Sequence, residues 1–328
     1  MRKFLIYFII IANIFSNTKN IIYLSQWKVD ENFELKLINS NKEYKDKSLK
    51  DLNSHNFLWE IITKLYPKEI LYKIKNFNIF IDNRNEDNQF LAFIEAVPNS
   101  NNQYFSININ ISDFYKNNSF LKEKYIDTLI HEFFHIISLN ESQISQENTG
   151  YLRIYEGYCK KESYLNQFYE KFWEIFSKRN SNFIFKYSEL SYDEKIKIYT
   201  KYENQFFNYY ALTNPIEDIA VSFEYFVKLG KENHFKNIKR DKIDFFYNYP
   251  ELIKYKNYLT EKKNRLIINW TNILIKNYFK VLTSKLALLQ ATENYGIVKN
   301  RFDEGVSTST DLTHWTYEGT AIVPDAWG

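Results

Sequence analysis

Cysteine is all but missing: Cys159 is the only one in 328 residues. An intramolecular disulfide is therefore excluded, and so is a metal held by several thiolates. In the stretch Tyr158-Cys159-Lys160 this thiol is expected to be packed like a small hydrophobe. Charge of one sign is lacking as well. The 43 Lys and Arg against 40 Asp and Glu leave a formal net charge of +3, with no basic block, so nothing argues for a nucleic-acid partner. Past the N-terminus no apolar run is long and charge-free enough to span a bilayer. Histidine is scarce too, with five in the chain: His55, His131, His135, His234 and His314.

What is abundant is apolar and aromatic surface, 45% and 19% of residues. A chain of this length and composition can bury a substantial core without covalent staples. The excess of Lys, Asn, Ile, Tyr and Phe runs through most of the chain and reads as nucleotide bias, so Lys or Asn abundance carries no argument. The first residues read as an export signal over 1–18. Arg2-Lys3 is the charged start, Phe4 to Phe15 an apolar run of 12, and Ser16 a small residue near a cleavage point. There is no A-x-A, and no cysteine follows that would carry a lipoprotein anchor. An uncleaved N-terminal anchor is the alternative, and the only membrane attachment foreseen. The expected location is secreted, periplasmic or at the cell surface.

The central stretch is His131-Glu132-Phe133-Phe134-His135. Two histidines four apart on a helix lie on one side of it, so both imidazoles can reach one ion. Glu132, beside the first, can lean over the open coordination position. This is the H-E-x-x-H arrangement of a zinc peptidase: two nitrogen ligands, and a carboxylate to take a proton from water. In a chain so poor in histidine, a chance match is on the order of one in a hundred. Ile126, Leu129, Ile130, Phe133, Phe134, Ile137 and Leu139 supply the apolar surface of a buried helix, expected over 120–139 with Ser119 as its cap.

In chain order, a strand or ordered arm is expected from Ile21, followed by a surface loop, then a helix over 56–76 ended by Pro67. A strand is expected at 77–82, and 90–97 is another apolar run. Ile107, Ile109 and Ile111 alternate with Ser106, Asn108 and Asn110, the pattern of a half-buried strand. Lying just before the histidine helix, residues 103–111 are expected to form the sheet edge that receives a peptide as an added strand. Helices are expected within 151–180, from Asn214-Pro215 to Leu229, and over 241–260 and 262–283.

A catalytic zinc needs a third protein ligand and leaves a position for water. No third histidine follows at short spacing, so an acid from another helix is expected. Glu156, 21 residues after His135, and Glu217, 82 residues after it, are the candidates. A first-turn carboxylate on an apolar helix needs a positive partner, which favours Glu217. Asp127 and Glu224 could support the ligands, although solvent-facing roles suit them better.

Tyr210-x-x-Thr213-Asn214-x-x-Glu217-x-x-Ala220-x-x-Phe223, following H-E-F-x-H, resembles the active-site core of anthrax toxin lethal factor and its relatives, zinc endopeptidases of the gluzincin group. The phrase Tyr-Ala-x-Thr-Asn-Pro-x-Glu-Asp-x-Ala-x-Ser-Phe is closer still to exported bacterial zinc metallopeptidases. The resemblance covers roughly residues 77–260. It implies that Glu217 is the third ligand and that Tyr210 assists at the oxyanion. It also implies an α+β fold of zincin type, mostly helical with a small mixed sheet. Relatives commonly carry an acid where Val221 stands, and 150–200 looks like an insertion.

Together these features predict a zinc-dependent endopeptidase with one Zn2+ on His131, His135 and Glu217, Glu132 as general base and a peptide or protein substrate. A zinc-containing surface binding protein without turnover is the alternative. Residues 19–283 would form the catalytic domain. Over 284–328 the composition shifts: four of the seven glycines fall in the last 33 residues. There Gly305 to Gly319 resembles a strand segment of five-bladed β-propeller glycoside hydrolases, too short to bury a core of its own.

Overall fold

The computed structural model describes residues 20–46, 48–84, 90–112, 120–180, 187, 190–229, 237–268, 306–311 and 314–318. The chain divides into two units, Met1–Asn264 and Arg265–Gly328. The expected export segment, the cap at Ser119, residues 269–283 and most of the tail lie outside the described residues.

The first unit is a mixed α+β structure. Strand β1 (Ile21–Val29) turns at Phe33, whose positive φ of 66° is braced by Asp30 Oδ1 accepting the N–H groups of Asn32 and Glu34. The chain returns as β2 (Leu35–Ser40), where a surface loop is expected from the polar composition. Helix α1 (Leu52–Leu65) starts earlier than its apolar spacing suggests, because Asp51 caps the N–H groups of Asn53 and Ser54. Pro67 separates it from the single-turn helix α2 (Lys68–Leu71). Strands β3 (Ile74–Asp82), β4 (Ala92–Ala96) and β5 (Phe105–Asn110) complete the sheet.

The strand order is β2-β1-β3-β5-β4. β3 and β5 run parallel with Phe77 opposite Ile107 and Ile79 opposite Ile109, while β4 is antiparallel to β5 with Ile94 opposite Ile107. This corrects the expected placement of residues 103–111: β5 is an interior strand, and the edge is β4. The alternation of Ile with Ser and Asn is present, but all six β5 residues are buried. The polar face is paired rather than wet. Asn76 Nδ2 donates to Ser106 Oγ, and Asn78 Nδ2 to Asn108 Oδ1, both at 2.9 Å. Alternation reports which faces a strand has, not its place across the sheet.

Helix α3 (Phe120–Leu139) follows the sheet. The helices expected within 151–180 begin only at Tyr164, and the stretch before them is not helical. It forms a small antiparallel sheet of β6 (Ile144–Ser145), β7 (Arg153–Ile154) and β8 (Gly157–Cys159), in the order β6-β8-β7. Helix α4 (Tyr164–Phe168) then runs through one wide turn at Tyr169–Trp173 into α5 (Glu174–Arg179). Helix α6 (Tyr192–Tyr202) opens on a capping box of Ser191 and Glu194.

Helix α7 (Pro215–Lys228) and helix α8 (Ile238–Phe246) pack beside α3. The single helix expected over 241–260 is broken at 247–249, where Pro250 restarts it and the helical backbone runs on through 264. A proline lacks the N–H and clashes with the preceding turn, so it begins helices rather than continuing them. Aromatic side chains bind the layers together. Phe134 stacks on Phe223 at 4.4 Å, Phe223 meets Phe246 edge-on at 5.5 Å, and Tyr66 meets Phe133 at 5.2 Å. Such pairs contribute about 0.5–1.5 kcal/mol each beyond their burial.

The second unit contains an antiparallel hairpin, β9 (Val306–Asp311) with β10 (His314–Glu318). Among the described residues no helix is long and apolar enough to cross a membrane.

Candidate metal centre

From Leu129 to Leu139 helix α3 is buried all the way round. Ile126, Leu129, Ile130, Phe133, Phe134 and Ile136 are all fully buried, so the helix runs through the interior rather than along the surface. Tyr66 on the segment after α1 donates its hydroxyl to the Leu129 carbonyl at 2.6 Å, fixing the helix two residues before His131. His131, Glu132 and His135 are therefore buried polar groups in a rigid setting.

Glu217 arrives from α7. Asn214 is extended and caps that helix: its Oδ1 accepts from Ile216 N at 2.8 Å and from Glu217 N at 3.0 Å, and Pro215 occupies the first turn. The cap fixes the backbone of Glu217 itself. Its Oε2 lies 3.0 Å from His131 Nε2 and 3.3 Å from His135 Nε2, and the two Nε2 atoms are 2.9 Å apart.

Three such atoms cannot satisfy one another by hydrogen bonds alone. Each contact needs a proton, and an ionised carboxylate supplies none. A triangle with these edges has a circumradius of about 1.8 Å, so a point about 1 Å from its plane lies about 2.0–2.1 Å from all three atoms, the span of Zn–N and Zn–O bonds. The donor set therefore fits a divalent cation, and among the described residues these three form the group that could hold a metal ion.

Glu132 has its carboxyl buried beside the pair. The backbone N–H of Ile94 on edge strand β4 lies near it, while Oε2 has no protein partner. Burial lifts its pKa above the ordinary glutamate value, against the pull of His135 and His131. Tyr210 lies just ahead of the short turn Ala211–Thr213, its ring 5.9 Å from that of His131. The residue is 38% exposed, yet its hydroxyl end points inward to Glu217. Burial and the neighbouring carboxylates keep the phenol protonated, well above its usual value.

Glu156 is not among the three clustered acids and imidazoles. It occupies the tip of the β7–β8 hairpin, near His135 and Glu217, with Oε2 buried and unpartnered. Asp127 and Glu224 face neither the centre nor open solvent. Asp127 bonds Lys228 and Lys263, each at 2.7 Å, and Glu224 bonds Lys228 at 2.7 Å, tying α3, α7 and the helix after Pro250 together.

Two features have no counterpart in the sequence pattern. One is the Ile94 N–H, a backbone group that carries no residue identity. The other is Asp218, next to Glu217, which turns the opposite way into a buried pair with Lys242 Nζ at 2.6 Å and accepts from Trp173 Nε1 at 2.7 Å. Two acids adjacent in the first turn thus serve different ends, one the candidate metal centre and one the packing of the Tyr169–Trp173 turn and α8 on α7. No family model, curated protein or solved structure matches the chain, and the centre is defined by its own atoms.

Proposed function

We propose that this chain is an exported zinc-dependent endopeptidase of zincin type, with a centre resembling that of the lethal-factor relatives. The observation that carries the reading is the convergence of His131, His135 and Glu217 from two helices on one point, with the Glu132 carboxyl and the Tyr210 hydroxyl beside it. The mixed sheet supports it, since the edge strand β4 reaches the Glu132 carboxyl and offers a border on which an extended peptide can pair.

His131, His135 and Glu217 would hold the ion. Bound there, zinc would lower the pKa of a water to about 7 and polarise a peptide carbonyl. Glu132 accepts the proton of the attacking water; burial has already moved its carboxyl toward the range a general base needs. Tyr210, held protonated, donates a hydrogen bond to the oxygen on which negative charge develops. Glu132 then passes its proton to the leaving amine.

The experiment is a peptide-library digest of purified protein with metal analysis, wild type against Glu132→Gln. Retained zinc with lost cleavage in the variant is the expected result. Cleavage at full rate by Glu132→Gln would discredit the assignment. Zinc in both forms with cleavage by neither would favour the surface binding protein.

A further inference from the structure

Besides Glu132 Oε2, three buried polar atoms on or near α3 lack protein partners: His135 Nδ1, Ser138 Oγ and Glu156 Oε2. The first two are one helical turn apart, on neighbouring positions of one side. The third belongs to a residue near His135, at the tip of a hairpin with little freedom. Tyr155-Glu156 is the two-residue tip between Ile154 and its pairing partner Gly157. Gly157 has φ 141°, and a Cβ there would stand 2.5 Å from Ser145 O and 2.8 Å from Ile144 Cγ2, so only glycine allows β8 to lie this close to β6. The Glu156 carbonyl accepts from Asn102 Nδ2 and Gln146 Nε2, both at 3.0 Å, which ties the tip to the loop after β4 and to the segment after α3.

If Nε2 of His135 gives its lone pair to a cation, the ring proton must sit on Nδ1. That atom is buried, and a buried N–H without an acceptor is costly. Histidines that bind metals almost always donate this proton to a carboxylate, a carbonyl or a water. We propose that Glu156 is a positioning residue for the metal centre: its Oε2 accepts the Nδ1–H of His135 through one buried water, which Ser138 Oγ also contacts. Three polar partners are what a buried water ordinarily has. Glu156 thereby fixes the tautomer and ring plane of His135 without itself touching the ion, and a carboxylate left uncompensated in the metal-free protein is repaid when the ion is bound.

This inference rests on the metal-binding reading above, and its test does not use peptidase activity. Zinc affinity is measured by chelator competition for wild type, Glu156→Gln and Glu156→Ala, and the zinc-loaded forms are examined by histidine side-chain 15N–1H NMR. Zinc binding about 10- to 100-fold weaker in Glu156→Ala is expected, with a smaller loss in Glu156→Gln, which keeps a neutral acceptor. The slowly exchanging His135 Nδ1–H resonance of the wild type should move and broaden in Glu156→Ala. Melting of the metal-free Glu156→Gln protein should be unchanged or raised, which a purely structural carboxylate would not give. Affinities within twofold of wild type and an unmoved Nδ1–H resonance would overturn the proposal while leaving the zinc centre intact. A wild type that takes up no zinc would instead overturn the metal-binding reading, and this one with it.

Discussion

Glu217 Oε2 lies 3.0 Å from His131 Nε2 across 86 residues of chain. The contact joins the middle of α3 to the capped first turn of α7, so the centre exists only when the two helices are packed. Glu217→Ala should therefore lower zinc affinity by more than the roughly 10- to 100-fold expected for an outer partner, with the fold retained by circular dichroism. Chelator competition measures it.

Tyr210 makes its contribution after substrate is bound. Tyr210→Phe should lower kcat by about 10²–10³ with little change in KM or zinc content, the loss typical of one oxyanion donor. Steady-state kinetics on a cleaved library peptide, once identified, separates the two parameters. Equal zinc content with unchanged kcat would make Tyr210 a wall of the cleft and nothing more.

Protons and metal compete for the same atoms. In the metal-free protein burial disfavours a charged His135, but Glu217 outweighs it and holds the ring above its ordinary 6.5. Burial likewise opposes ionised Glu217, but His135 and His131 hold it well below its ordinary 4.5. The raised histidine contributes stability that is complete below 6.5 and lost as pH rises through its folded value. The lowered glutamate contributes stability present above 4.5 and lost as pH falls through its folded value. The metal-free Tm contribution of this pair should thus peak between these two ordinary values and decline above them. The rise in Tm on adding zinc should grow over the same increase in pH, because ligation needs deprotonated rings. Melts with and without zinc from about pH 5 to about pH 8 test both slopes.

Lys242 and Asp218 are almost wholly buried, and burial lifts the Asp218 carboxyl and depresses the Lys242 amine. Removing one partner leaves the other charge stranded. Lys242→Met should cost about 3–5 kcal/mol, and Asp218→Asn in the same chain should restore a large part of it. Denaturant unfolding of the two single variants and the double variant gives the coupling.

Much of the centre was legible before any coordinates. His131, Glu132 and His135 follow from a local spacing that a helix converts into a shared direction, and Asn214-Pro215 announces where α7 begins. The choice between Glu156 and Glu217 did not follow from spacing. Both are acids at plausible separations, and only the packing of α7 on α3 puts one carboxylate against the imidazoles while the β7–β8 hairpin holds the other behind them. The edge of the sheet was misplaced for the same reason: β5 shows its faces in its alternation, but its neighbours are set by pairing with β3 and β4, 30 and 15 residues away.

By itself the chain order determined the helix with its two ligand-spaced histidines, the capped start of the glutamate helix and the exclusion of an intramolecular disulfide or a metal held by several thiolates. These are properties of a few neighbouring residues. Tertiary structure alone decided which strand borders the site and that Glu217 and Asp218 face opposite ways, and it brought to the histidines the acid that the chain order only favoured. Those outcomes depend on helix packing and strand pairing between distant segments, where burial and close contact, not local spacing, select among the alternatives.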